Sequence, residues 1–359
     1  MKNRGVSSRG GAGLRYGLLA AAVAAALGAG SARAQAQAPQ VVENAHLGGS
    51  LYEIVMDGDD DRVLVADAGG RGEGGQSYIY SLDATTLEVI ERIALDEGQA
   101  FGLALDEQGD RLYMVDTRGV ALSALDIESG EVAATLSLAD DRAASGEARP
   151  PQPRLALFEP DSGRVYVSGV ADEGVIWVVN GADMTLETTF ENVGSRPAGL
   201  ALESERERLY TTLLGSDQVA VIDTNTGEVV ETLDLTVEGA INLALDRGRQ
   251  RLLVTGQQSG ELEVLDAADG RSLARIATGE GALDVAINEG NNRIYVTNRG
   301  AGTVTVIDAE HLETVATLET GPRPNSVTVD PEHHTAFVTN RDNREAPDKV
   351  RGNAVSLIR

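Results

Sequence analysis

One short motif recurs seven times along the chain and leaves few folds open to it. It reads DRVLVAD (61–67), DRLYMVD (110–116), GRVYVSG (163–169), ERLYTTL (207–213), QRLLVTG (250–256), NRIYVTN (292–298) and HTAFVTN (334–340). Successive copies start 49, 53, 44, 43, 42 and 42 residues apart. A second apolar run precedes each copy, as in YEIVMD (52–57), FGLALD (101–106), INLALD (241–246) and NSVTVD (325–330). A third follows, as in LSALD (122–126), VTVID (304–308) and VSLIR (355–359). A fourth closes most units, as in EVIERI (88–93), EVVETL (228–233) and TVATL (314–318). The runs are short, rich in valine, leucine and isoleucine, and bounded by Asp, Asn or Gly. That is strand grammar rather than helix grammar. Four strands per unit of about 43 residues is the signature of a β-propeller blade.

Seven units begin, but the last stops inside its third strand, at Arg359. The missing strand stands at the other end of the chain. VVENAHLGG (41–49) matches TVATLETGP (314–322), a fourth strand with its exit. Residues 39–49 are therefore expected to complete the C-terminal blade and close a ring, which leaves only short, protected edges. The expected fold is all-β: a seven-bladed β-propeller of four antiparallel strands per blade, in one domain over residues 35–359. Alanine recurs in the first strand, at Ala104, Ala156, Ala201, Ala244 and Ala286. Small side chains suit the strand nearest a crowded axis.

The segment before the repeats reads as an address. Lys2, Arg4, Arg9 and Arg15 form a basic stretch, GLLAAAVAAALG (17–28) a short apolar run, and Ala32-Arg33-Ala34 a small-x-small cleavage site. This pattern predicts a Sec-type signal peptide over 1–34, a mature start near Gln35 and a periplasmic or secreted protein. No Arg-Arg pair supports a twin-arginine route. Removing five cations would take the formal charge from −26 to −31. So acidic a chain is a poor general duplex-DNA binder. It has no cysteine, which excludes disulfides, thiolate metal sites and a cysteine nucleophile. Its cations are arginine except for Lys2 and Lys349.

The string RIYVTNRGAGTVTVID (293–308) carries a family resemblance, with Tyr-Val-Thr-Asn intact at Tyr295 to Asn298. The chain resembles the YVTN β-propeller repeat family, and within it the YncE-like exported bacterial proteins. The likeness spans roughly residues 39–359 and is strongest in units four to seven. It implies the propeller fold. For function it implies several classes: surface-layer proteins, amine-dehydrogenase heavy chains, lactonase-like enzymes and single-stranded DNA binders. The WD-repeat pattern does not fit, since Trp177 is the one tryptophan.

In a propeller the turns after strands one and three share a face, and those after strands two and four share the other. The first set is tight here, as in DGDDD, DEQGD and NEGNN. All three long insertions, 68–77, 137–153 and 341–353, fall in the second set. Elaboration confined to one face marks it as the binding face. The same face collects Arg71, Arg118, Arg142, Arg149, Arg154, Arg196, Arg299, Arg323, Arg341, Arg344, Lys349 and Arg351. Arg154, Arg196, Arg299, Arg323 and Arg341 sit nearest the expected channel mouth and suit a carboxylate, a phosphate or an acidic partner strand. Asn242, Asp284 and Asn325 begin first strands, and Asn298 and Asn340 end second strands. All five are expected to ring the mouth. Asp57, Asp59, Asp60 and Asp61 offer oxygen ligands but match no EF-hand spacing, so no metal is expected there.

The sequence therefore favours an exported, monomeric, non-enzymatic binding or scaffold protein with no cofactor. Its ligand is a protein partner or a small anion on the loop-rich face. The alternatives are a lactonase-like hydrolase, an amine-dehydrogenase-like heavy chain and a single-stranded nucleic-acid binder. No G-x-S-x-G elbow, H-E-x-x-H or Walker loop supports an enzyme. Stacking platforms for bases are scarce, with Tyr78 and Phe101 the aromatics expected on the working face.

Overall fold

A computed structural model describes residues 38–69, 75–106, 108–139, 150–342 and 352–359. The signal peptide expected over 1–34 lies outside these residues, as do Arg71, Arg142, Arg149, Arg344, Lys349 and Arg351. Among the described residues, strands form seven four-stranded antiparallel sheets, six of them in chain order from inner to outer edge. This is the expected seven-bladed propeller.

Blade 1 shows the pattern: Leu51–Asp57, Arg62–Asp67, Ser77–Asp83 and Val89–Leu95. Blade 7 takes three strands from the C-terminus, Pro324–Asp330, Thr335–Asn340 and Ala354–Ile358, and its fourth, Val41–His46, from the N-terminus. Val41 pairs with Ile358 and His46 with Ala354. Gln40 and Arg359 exchange backbone hydrogen bonds of 2.8 and 3.0 Å at the end of that ladder. The closing strand is thus the one the sequence pattern pointed to.

The apolar core is divided among the gaps between blades. One cluster packs Tyr113, Val115 and Leu122 of blade 2 against Val165, Val167 and Trp177 of blade 3. Another joins Leu51 and Val63 of blade 1 to Phe337 and Leu357 of blade 7 across the closure. The recurrent motif supplies the largest fully buried side chains, Tyr113, Tyr166, Tyr210, Tyr295 and Phe337, all at its aromatic position. Buried phenols need partners. Tyr166 and Tyr210 donate to Glu159 and Glu203 at 3.1 and 3.0 Å, and Tyr295 accepts from Asn291 at 3.1 Å.

In six blades the first strand bulges near its start, setting two residues against one on the second strand. The opposing residue is Ser168, Thr212, Thr255, Thr297 and Thr339 in blades 3 to 7. Its hydroxyl takes up the freed bulge N–H, as where Gly199 donates to Thr212 at 2.8 Å and Asp284 to Thr297 at 3.0 Å. In blades 3, 4, 5 and 7 it also reaches the next blade. Thr212 donates to the Ile241 carbonyl at 2.7 Å, Thr255 to Leu283 at 2.9 Å, and Thr339 to Tyr52 at 2.7 Å across the closure. The hydroxyl at this place in the recurrent motif is a fastener between neighbouring blades at Ser168, Thr212, Thr255 and Thr339.

Candidate functional site

The bulges also build the channel. Their second residues, with Gly102 at the matching place in blade 2, form a tier of Glu53, Gly102, Leu155, Gly199, Asn242, Asp284 and Ser326. Polar members of this tier are bonded into one network. Arg154, one residue before Leu155, donates from Nη1 to Asn242 Oδ1 at 2.8 Å, two blades away. Blade 4 lies between and contributes Gly199, where a Cβ would sit 2.8 Å from Asn242 Cα. Only glycine lets these first strands approach so closely. Asn242 Nδ2 donates to Asp284 Oδ1 at 2.9 Å, and the Val327 N–H to Asp284 Oδ2 at 2.9 Å. The Ser326 hydroxyl makes a short bond to Glu53 Oε1. Asn325 Nδ2 donates to the Tyr52 carbonyl at 3.1 Å. The network thus links blades 3, 5, 6, 7 and 1.

Its charges do not balance. Arg154 is one cation facing two carboxylates. Burial, and then the charge of Asp284, push Glu53 up to about 8, against the opposing pull of Ser326 and Arg154. Burial also raises Asp284, while the Val327 and Val285 N–H groups and the Ser326 and Asn242 side chains hold it down. Burial lowers Arg154, offset by Glu53 and Asp284. With Glu53 at about 8, one of these two interacting carboxyls keeps its proton at neutral pH. Asp284 has the more hydrogen-bond donors, so the proton sits on Glu53.

Above the network lies an arginine-rich mouth. A cavity of about 260 Å3 is lined by Arg118, Arg299, Arg323 and Arg341 together with Tyr52 and Asp342. A second, of about 480 Å3, descends to Glu53, Arg154 and Asn242 between Phe101, Leu155, Ile241 and Leu283. Tyr52, Arg118 and Arg299 line both. Arg341 covers the Tyr52 ring, 3.8 Å from its centroid, and donates to its hydroxyl at 2.7 Å. Phe101 meets the same ring edge-on at 4.7 Å. Arg118 lies over Phe101 at 5.4 Å and donates to Gln99 at 2.8 Å. Burial, then the charges of Arg341 and Arg323, lower Arg299 to about 10. Like charges gathered in a half-dry concavity disfavour one another's charged forms. Asp342 is the one carboxylate among the described residues lining the smaller cavity, and it accepts the Gly352 N–H at 2.8 Å.

The structure brings together seven of the ten residues singled out from sequence: Arg154, Asn242, Asp284 and Asn325 in or beside the network, and Arg299, Arg323 and Arg341 at the mouth. Arg196 is exposed and lines neither cavity. Asn298 and Asn340 are a correction. Both are fully buried, and they tie second strand to third. Asn298 donates to Thr305 at 2.9 Å and Asn340 to Ser356 at 2.9 Å. Tyr78 lines neither cavity, and Arg92 lies over its ring at 4.5 Å. Asp57 and Asp60 both bond Arg62 at 2.7 Å in the tight turn. Sequence reasoning missed Tyr52, Glu53 and Ser326. The available signal was alignment: Glu53 stands in the first strand of its unit where Asn242 and Asp284 stand in theirs.

Fold and site define a class: a seven-bladed β-propeller with an ionic network across its channel and an arginine-rich mouth on the loop-bearing face. The chain is 34% identical over 245 residues to "Uncharacterized protein YncE" of Escherichia coli (strain K12), covering 67% of this chain and 69% of that protein. It is 33% identical over 235 residues to the protein of the same name from Salmonella typhi, covering 64% and 66%. The chain belongs to the YncE-like β-propellers. No family model matches it.

Proposed function

We propose that this propeller is an exported, non-enzymatic binding protein whose arginine-rich mouth takes an anionic group, either a small carboxylate or phosphate compound or an acidic side chain of a protein partner. The observation that carries this reading is the convergence of Arg118, Arg299, Arg323 and Arg341 on one cavity of a chain whose formal charge is −26. Planar guanidinium forks suit carboxylate and phosphate oxygens. The buried network beneath is already satisfied by hydrogen bonds, which favours a rigid recognition floor. Export rests on the basic stretch, apolar run and Ala32-Arg33-Ala34 site; N-terminal sequencing of the protein from the native periplasm should begin at or near Gln35.

The test is calorimetric titration with citrate, inorganic phosphate and a thymidine 12-mer. Citrate or phosphate should bind, more weakly as salt rises, and an Arg299→Ser, Arg323→Ser double variant should lose at least about tenfold in affinity. Unchanged affinity in the variant, or no binding of either anion, would overturn the reading. Tight binding of the 12-mer alone would replace it with single-stranded DNA recognition. The Tyr52 ring, covered by Arg341 and met by Phe101, supports small anions over stacked bases.

A further inference from the structure

The channel beneath the mouth lacks one positive charge. Glu53 and Asp284 face a single guanidinium, Arg154, and no other charged group acts on Glu53 as strongly as these two. In the free protein a proton on Glu53 supplies the missing charge. Glu53 also lines the cavity of about 480 Å3, whose walls are Phe101, Leu155, Ile241 and Leu283 and whose upper rim includes Arg118 and Arg299. The volume falls in the range of small-molecule pockets. It is cationic at the rim, apolar along the wall and acidic at the floor.

We propose that the cavity is a site for a zwitterionic ligand, an amino acid-like or short peptide-like molecule, whose acidic end meets the rim arginines and whose ammonium seats against Glu53. This rests on the anion-binding reading of the mouth and adds the second pole of the ligand. The ammonium replaces the Glu53 proton, which leaves to solvent. Charge is conserved at the floor: two carboxylates, one guanidinium and one further cation before and after. Asn325 and Gln257 line the same cavity and bring amide oxygens for the remaining ammonium hydrogens. The apolar wall between the poles selects a methylene spacer.

The experiment is calorimetry of the purified protein with a series of ω-amino acids, from glycine to 6-aminohexanoate, alongside hexanoate and hexylamine. Titrations at pH 7 in two buffers of different ionisation enthalpy count the protons released. One chain length should bind at least tenfold more tightly than hexanoate, releasing close to one proton, since a carboxyl near 8 is mostly protonated there. Affinity in the unaltered protein should rise up to tenfold per pH unit from 6 towards 8 and then level off. That profile needs no variant. Glu53→Gln keeps the Ser326 bond and should abolish both proton release and the advantage of the amino acid over hexanoate, each measured on the same variant. Hexanoate binding as tightly as every amino acid would overturn the zwitterion proposal and leave the anion reading standing. Failure of all the anions at the mouth would overturn both. Proton release by calcium chloride alone would reassign the floor to a metal ion and also overturn it.

Discussion

Thr255 holds two blades with one oxygen. It accepts the Asn242 N–H at 3.3 Å and donates to the Leu283 carbonyl at 2.9 Å. Replacing it by isosteric valine leaves two buried backbone groups without partners. Thr255→Val should cost about 2 kcal/mol of stability, read from urea unfolding, because unpaired buried polar groups lose their solvation uncompensated. A loss within error of zero would remove the fastener role. The equivalent positions in blades 1 and 2 are Ala66 and Val115, which have no hydroxyl to offer. Glu53 makes a different prediction. Its pKa lies near 8 in the folded chain against an ordinary 4.5, so the folded state favours the proton. Stability from this group is complete below about 4.5 and falls as pH rises towards 8. Melting curves across that window should show a decline that Glu53→Gln flattens; parallel declines in both proteins would contradict the assignment. At Gly199 a Cβ would press on the Asn242 backbone at 2.8 Å, and neither strand can yield without disturbing the Arg154–Asn242 bond. Gly199→Ala should lower the melting temperature by several degrees.

At the scale of elements, the closing strand is the one pairing that joins distant ends of the sequence. Val41–His46 adds the outer strand of blade 7, and Ala45 and Val41 pack against its neighbours. Deleting residues 39–49 should lower the melting temperature of the whole ring rather than fray one blade, since each blade is buried by the next. An unchanged melt would show that the ring needs no closure. Strands of this kind were legible in the sequence because apolar runs, turn residues and a fixed period all agree. The bulges were not. Inserting one residue breaks the two-residue alternation, so the side of the sheet on which Tyr52 and Glu53, or Asn325 and Ser326, fall cannot be counted from the strand start. Asn298 and Asn340 mislead for a related reason. An Asn at a strand end suits both a turn and a buried cross-strand bond, and only the hydroxyls of Thr305 and Ser356 decide for the second. The arginines of the mouth were legible as a face, because the loop alternation of a propeller is fixed. Their meeting at one cavity depends on ring curvature, which no local pattern carries.

The molecule as a whole sets a cationic mouth on an acidic body. Its formal charge of −26 repels anions at long range, while Arg118, Arg299, Arg323 and Arg341 attract them at short range. Screening within about 8 Å at physiological salt confines that attraction to the cavity itself. On the proposed reading ligand choice belongs to the ring, since these arginines come from blades 2, 6 and 7 and from the link between blades 6 and 7. Anomalous diffraction from crystals soaked in selenate tests this most directly. The account predicts a strong selenium peak within hydrogen-bonding distance of Arg299 and at least one of Arg118, Arg323 and Arg341. Selenate bound only elsewhere on the surface, with this cavity empty at saturating concentration, would contradict it.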